Sequence, residues 1–100
     1  MKTIYAPEAL SELREAIDWY DRQRDGLGAE FYDEILAAVE MISADPLRFA
    51  IYEGTSLDEP VRRALVKRFP YVVSFKIIGN EIRILSIFHG RRRPGYWKDL

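Results

Sequence analysis

The sequence predicts an α+β fold of the order β-α-α-β-β-β, an antiparallel sheet with a two-helix hairpin packed on one face. Three observations support this prediction. The 100 residues suffice for one domain but not for two independent cores. Apolar residues recur with helical spacing in the first half of the chain and alternate, or cluster as β-branched residues, in the last third. We therefore treat residues 1–100 as a single domain.

The first half of the chain predicts a short strand followed by two antiparallel helices. Residues 2–6 form the candidate strand, and Pro7 suits the first turn of a helix, where its missing N–H costs nothing. This helix ends near Gly26, a left-handed cap. The second helix begins just after Gly28 and is stopped by Pro46. The stripes expected to face the sheet are Leu10, Leu13, Ile17 and Tyr20, then Phe31, Ile35, Ala38, Val39 and Ile42.

The last third of the chain predicts three strands, residues 61–69, 71–78 and 81–89. Gly79-Asn80 is a two-residue hairpin signal, with glycine where positive φ is needed. The connections are too short for crossovers, so these strands must be antiparallel. Residues 45–60 have no clean period and are predicted to form a long connection, of a kind that is often functional or contains a strand of its own.

Composition excludes several classes of protein. The chain has no cysteine, which removes disulfides and thiolate chemistry and agrees with a reducing cytosol. With a single histidine, no metal site is expected, and no cofactor is implied. No run approaches the ~20 apolar residues of a membrane helix, and the N-terminus lacks the apolar stretch of a signal peptide. We expect a cytoplasmic protein without a membrane partner.

Charge is distributed very unevenly along the chain. Residues 1–60 contain 5 Lys and Arg against 14 Asp and Glu, a net charge of −9, whereas residues 61–100 contain 10 against 2, a net charge of +8. Such asymmetry indicates an anionic partner for the basic half. The alternative is that the two signs neutralise each other across the fold, but this does not explain three consecutive arginines at residues 91–93.

The candidate site is therefore a cluster of cations and aromatic residues in the basic half. Arginine presents a planar fork suited to phosphate, and interleaved rings can stack on bases. These residue types could also build an RNA-cleaving site, with a base, an acid and guanidinium groups for the charged transition state. The cluster comprises Arg62, Arg63, Lys67, Arg68, Arg83, His89, Arg91, Arg92, Arg93, Tyr96, Trp97 and Lys98.

Other types of site are poorly supported. The glycines are too scattered for a phosphate-binding loop. Ser86 and His89 are three apart on one strand and should point to opposite faces, which disfavours a Ser-His-Asp arrangement. The structural alternatives are a hydrogen-bonded histidine, a solvated arginine run at residues 91–93, and packing of Tyr96 and Trp97 over the sheet. Residue types alone favour an anionic or acidic partner over an enzyme.

Several segments give the chain a resemblance to a known family. They are the helical stretch PEALSELREAIDWYDRQRDGLGAEFYDEI, then DPLRF, then the arginine-rich strand that runs into Phe69-Pro70-Tyr71, and the ending IFHGRRRP. In this order and spacing the chain resembles the RelE/ParE family of bacterial toxins from type II toxin–antitoxin systems. The resemblance implies a β-α-α-β-β-β fold, a cytoplasmic location, growth arrest, and tight binding to a cognate antitoxin in a hetero-oligomer.

The HGRRRP ending resembles the ParE-like, plasmid-stabilisation branch, whose members block DNA gyrase without nuclease chemistry. On this interpretation Trp19, Arg62 and Arg68 bind the antitoxin. The residues expected to bind the target are Arg63, His89, Arg91, Arg92, Arg93, Tyr96 and Trp97.

Two alternatives stay open. The first is a RelE-like endoribonuclease that cuts mRNA on the ribosome, favoured by Tyr96 and Trp97 after the arginines and by Lys67 and Arg83. Its catalytic residues would be Arg63, Arg83, His89, Arg91 and Tyr96. The second is a non-toxic relative that only forms the complex with an antitoxin.

Overall fold

The computed structural model describes residues 1–52 and 55–91 and has the predicted α+β architecture. A single turn of 3₁₀ helix (Pro46–Arg48) follows the second helix. In chain order the elements are strand β1 (Lys2–Tyr5), helices α1 (Pro7–Gln23) and α2 (Leu27–Ala44), and strands β2 (Arg62–Leu65), β3 (Tyr71–Ile78) and β4 (Glu81–His89).

The four strands form one sheet in the order β1-β4-β3-β2. β2, β3 and β4 are antiparallel neighbours, as predicted. The prediction of a wholly antiparallel sheet was wrong at the edge, because β1 runs parallel to β4 with Lys2 opposite Glu81 and Tyr5 opposite Ile84. Both helices, β2 and β3 lie between β1 and β4 in the chain, so the short-turn argument does not apply to β1.

The helical hairpin closes more tightly than predicted. Gly26 has the expected left-handed conformation, with φ of 87°, but α1 already ends at Gln23, so Gly26 precedes α2 instead of capping α1. However, α2 begins at Leu27, so Gly28 lies inside the helix and not before it. The Gly28 N–H donates to Asp21 Oδ1 at 2.8 Å. A Cβ at position 28 would lie only 2.5 Å from the carbonyl oxygen of Ile17, so glycine permits this close approach of α1 and α2.

The hydrophobic core lies between the helices and one face of the sheet. The predicted stripe of α2 is buried, but the buried face of α1 is centred one residue away from its predicted position. Leu10 is only half-buried, and Ile17 packs at the margin of the core. The small side chains of Ala9 and Ala16 are buried instead. The buried residues of α1 are Ala9, Leu13, Ala16 and Tyr20, and those of the sheet that pack on them include Val73, Phe75, Ile82, Ile84 and Ile87.

β2 ends at Leu65 rather than at residue 69 as predicted. Arg68 adopts a φ of 70°, which an extended strand does not allow. The N–H of Val66 donates to the carbonyl of Tyr71 at 3.0 Å and closes the turn into β3. Within the predicted connection, Ile51 forms an isolated antiparallel bridge with Arg62, so part of that segment does pair with the sheet.

A β-bulge interrupts the pairing of β3 with β4. Ser74 lies opposite Ser86 but Phe75 lies opposite Ile84, so Leu85 is an extra residue in β4. Before the bulge Ile82 and Ile84 point toward the helices, and after it Ile87 does so. Because alternate residues of a strand share a face, His89 also lies on the helix side.

Candidate functional site

An open cleft of about 460 Å³ lies beside the end of β4. β1 stops at Tyr5, opposite Ile84, so the last residues of β4 have α1 rather than a strand along this edge. A carboxylate replaces the missing strand, since the Ile87 N–H donates to Glu12 Oε1 at 3.0 Å. The walls of the cleft include Glu12, Glu15, Trp19, Tyr71 and His89.

His89 is half-buried at the rim of this cleft. Its ring meets the ring of Tyr71 edge to face, with the centroids 5.5 Å apart. Its Nδ1 accepts a hydrogen bond of 3.1 Å from the backbone N–H of Arg91. A neutral ring in this position therefore carries its proton on Nε2, which is the donor left for a partner.

A cluster of aromatic rings in edge-to-face and tilted contacts supports the wall of the cleft. The ring of Tyr20 lies 5.1 Å from that of Trp19, 4.9 Å from that of Phe69 and 6.1 Å from that of Tyr71. Burial raises the pKa of the Tyr20 hydroxyl, which stays neutral. Trp19 lies at the surface end of this cluster, with half of its area exposed. Such interlocked rings give the cleft a fixed shape.

A second group of cations occupies the sheet face that points away from the helices. Arg63 pairs with Ser74 and Lys76 pairs with Arg83, and all four side chains project to this face. The Arg63 guanidinium lies 5.2 Å from the ring centre of Tyr52. Burial raises the pKa of Tyr52, and the charge of Arg63 opposes that rise. Lys76 and Arg83 are partly neutralised by Glu59 at 3.8 Å and Glu81 at 3.4 Å.

Arg62 and Arg68, which the sequence assigns to the antitoxin, make intramolecular contacts. Arg62 donates to the carbonyl of Phe49 at 2.7 Å and to that of Leu47 at 3.2 Å, which holds the segment after α2 against β2. Arg68 pairs with Glu30 at 2.7 Å, and this contact lowers the pKa of the Glu30 carboxyl. The assignment of Arg62 and Arg68 to the antitoxin stays a prediction. An antitoxin that binds there would have to share or replace these intramolecular bonds.

The residues of the ribonuclease hypothesis do not converge in the described part of the chain. His89 lies on the helix side of the sheet, with Arg91 exposed just beyond it. Arg63 and Arg83 lie on the opposite face. The remaining predicted site residues, Arg92, Arg93, Tyr96 and Trp97, lie outside the described residues.

Glu12, Glu15 and Tyr71 are neighbours of His89 that were not predicted from the sequence. Tyr71 was detectable, because it follows the Phe69-Pro70 pair and alternates with Val73. The carboxylates carried no such signal, because helical periodicity does not show which strand end a helix crosses.

A narrower apolar groove of about 350 Å³ separates α2 from β2. Ala37, Ala38 and Ala64 line it, together with Met41 and Phe49. Leu65 also lines it and is 76% exposed, an unusual state for a large apolar side chain in a strand.

Within residues 1–52 and 55–91, no three metal-binding side chains come together. The helices in this part of the chain are too short or too polar to cross a membrane.

Comparisons with known proteins agree with this architecture. The family model for the ParE toxin of the type II toxin-antitoxin system, parDE, matches residues 3–94. A chain in the solved structure of the chromosomal ParDE TA system from P. aeruginosa is similar, with a TM-score of 0.74 and 21% sequence identity. The likeness covers 89% of this chain and 95% of that chain, and at this identity it shows the fold alone. The curated proteins contain no match.

Proposed function

The chain belongs to the ParE toxin family of type II toxin–antitoxin systems, and we propose that it arrests bacterial growth by binding DNA gyrase. It is the toxin component of such a system, and an antitoxin is its partner. We further propose that it acts in the cytoplasm and that the cognate antitoxin neutralises it within a hetero-oligomer.

The proposal that the chain binds its target, and does not cleave RNA, rests on the positions of the cationic residues on opposite faces of the sheet. Phosphodiester cleavage needs a base, an acid and charge-stabilising groups within hydrogen-bond distance of one phosphate. His89 and Arg63 project to opposite faces of the sheet, so one phosphate cannot contact both side chains. This arrangement favours binding over catalysis.

The gyrase contact is assigned to the end of the sheet that contains His89 and Arg91. His89 is held by Tyr71 and by the Arg91 N–H, and Arg91 is exposed. Arg92, Arg93, Tyr96 and Trp97 follow directly in the sequence and are assigned to the same contact. Arg63 is assigned to a separate part of the target surface, because it faces the other side.

One observation favours the endoribonuclease as the second candidate. Arg63, Lys76 and Arg83 share a face with Tyr52, so a phosphate there would meet several cations beside a phenol. A phenol is protonated at neutral pH and can donate that proton, but burial raises the pKa of Tyr52 and so makes it a weaker general acid than a free tyrosine. On this hypothesis the substrate is mRNA on the ribosome, and His89 takes no part.

The antitoxin is assigned to two surfaces, the exposed ring of Trp19 and the groove between α2 and β2. Trp19 offers a half-exposed ring beside the cleft. The groove between α2 and β2 offers apolar walls with Leu65 and Met41 exposed, which suits apolar antitoxin side chains. Trp19 lines the same cleft as His89, and Leu65 lines another pocket together with Arg91, so an antitoxin bound at these surfaces would lie beside the proposed gyrase contact.

The deciding experiment induces the chain in a bacterial host and measures plasmid supercoiling and mRNA integrity separately, within minutes. We expect supercoiling to change while transcripts stay intact, and purified gyrase to be inhibited by the purified chain. Arg91→Ala with Arg92→Ala should abolish both effects, and Arg14→Ala, an exposed arginine on α1, is the matched control. Rapid transcript cleavage with normal supercoiling would establish the endoribonuclease instead.

A further inference from the structure

The two buried polar side chains of the described residues face each other at the bulge. Ser74 and Ser86, here called the serine pair, are both fully buried, and their hydroxyl oxygens are hydrogen-bonded to each other. They project away from the helices, since Val73, Phe75 and Ile87 on either side of them enter the core. A buried hydroxyl needs a partner, and each serine is the partner of the other.

The bulge beside the serine pair decides which face His89 occupies. If the pairing of Phe75 with Ile84 continued without the extra residue, Ser74 would lie opposite Leu85 and Val73 opposite Ser86. Ser86 and Phe88 would then point toward the helices, and His89 would join Arg63 and Arg83 on the other face. A shift of one residue thus changes the chemical composition of both faces.

The amount of apolar side-chain surface that is buried differs little between the bulged and the regular register. The regular register would exchange Ile87 for Phe88 in the core, and both are large apolar residues that are almost fully buried now. The hydroxyls discriminate more clearly. In the regular register Ser86 would enter the core opposite Val73, and Ser74 would lie opposite Leu85, so neither would have its present partner.

We propose that the serine pair is a positioning device that selects the bulged register and thereby holds His89 in the cleft beside Tyr71. Its role is specificity of register more than stability, because buried polar pairs exclude alternatives in which they are separated. The consequence for gyrase rests on the function proposed above, whereas the position of His89 can be measured without it.

The sole histidine of the chain provides the measurement. We would prepare the full chain by cell-free synthesis and record the NMR signals of the His89 ring and its nuclear Overhauser contact with Tyr71. The wild type should give one set of signals and that contact, since the ring centroids are 5.5 Å apart. In Ser74→Ala/Ser86→Ala the regular register no longer separates a hydrogen-bonded pair, and we expect a second set of signals from up to about one tenth of the molecules. Ser43→Ala, on α2, is the matched control and should give one set.

Deletion of Leu85 gives a second, independent test. Without the extra residue a regular strand places His89 on the Tyr71 side, so deletion from the double variant should restore a single set of signals and the contact. Deletion from the wild type should leave the contact in place. One unchanged set of signals in the folded double variant, or loss of the contact on deletion alone, would overturn the proposal.

Gyrase inhibition separates this proposal from the proposed function. Inhibition by the double variant should fall by the fraction of molecules in the second register. Displaced His89 signals with undiminished inhibition would contradict the role of His89 in the gyrase contact, and the positioning role of the serine pair would stand.

Discussion

Arg68 shows how single contacts hold an unfavourable backbone conformation. Its φ of 70° lies in the left-handed region, which is costly for a residue with a Cβ. Its guanidinium contacts Glu30 at 2.7 Å and lies 5.4 Å from the ring centre of Phe69. These contacts tie the turn after β2 to α2, and the sequence has no glycine or asparagine there to reveal the turn.

The ion pairs of Glu30 predict a pH dependence of stability. Hydrogen bonds from Arg68 and Arg24 lower the pKa of the Glu30 carboxyl below its ordinary value of 4.5. A carboxyl whose pKa is lowered on folding stabilises the protein above its ordinary pKa, and this contribution is lost as the pH falls through the lowered value. Glu30→Gln should therefore reduce the urea midpoint at pH 7, by a small amount because the pair is exposed. The difference from the wild type should shrink below pH 4.5.

Salt is the control for this prediction. About 1 M NaCl shortens the screening length to about 3 Å and should reduce the same difference at neutral pH. A difference that stays constant with both pH and salt would show that the Glu30 side chain acts through packing and not through its charge.

The contact of Gly28 with α1 predicts a large effect from one methyl group. A Cβ at this position would meet the Ile17 carbonyl oxygen at 2.5 Å and Asp21 Oδ1 at 2.7 Å, so the hairpin must open. Gly28→Ala should lower the free energy of unfolding by about 1–3 kcal/mol, although alanine is the better helix former. Urea denaturation measures this. Ala29→Gly, at an exposed neighbour, should cost no more than about 1 kcal/mol, and a neutral or stabilising Gly28→Ala would show that the helices do not touch here.

Among the secondary-structure elements, apolar periodicity predicted the bounds of the last two strands most accurately. β3 and β4 begin and end at their predicted residues, whereas α1 ends at Gln23, three residues before Gly26. β2 was predicted too long, because the turn at Arg68 depends on Glu30, which is 38 positions away in the chain. The parallel pairing of β1 was missed for a similar reason, because no local signal specifies the partner of an isolated strand.

The exposed position of Leu65 in the groove between α2 and β2 predicts that its substitution weakens antitoxin binding without lowering the stability of the chain. Leu65 lines the groove and is 76% exposed, so Leu65→Ser should change the free energy of unfolding by no more than about 0.5 kcal/mol. If the antitoxin covers the groove, its affinity should fall about tenfold or more, which corresponds to about 1.4 kcal/mol. Leu57→Ser is the matched control, since Leu57 is 89% exposed and is not among the groove residues. Equal affinity for both variants would place the antitoxin elsewhere.

At the scale of the whole molecule, the sheet separates residues that the sequence groups together. The basic half of the chain forms β2, β3 and β4, and alternation distributes its cations over two faces. The opposite orientation of Ser86 and His89 was predicted correctly from their spacing. That His89 shares a face with Tyr71 and not with Arg83 could not be predicted, because it depends on a bulge that leaves no mark in the residue pattern.

If gyrase is the target, as proposed, this separation predicts that Arg63 and His89 contribute independently to gyrase binding. Side chains on opposite faces share no ligand atom, so their contributions to binding should add, with a coupling energy below about 0.5 kcal/mol. The measurement is a double-mutant cycle of Arg63→Ala and His89→Gln, with inhibition constants for purified gyrase as the readout. A cycle of His89→Gln with Arg91→Ala is the comparison, since both residues lie at the same end of β4 and are assigned to the same contact, and a larger coupling is expected there. A coupling of about 1–3 kcal/mol between Arg63 and His89 would mean that both act on one group of the target. The sheet would then have to rearrange on binding, and the catalytic interpretation of the cluster would regain its support.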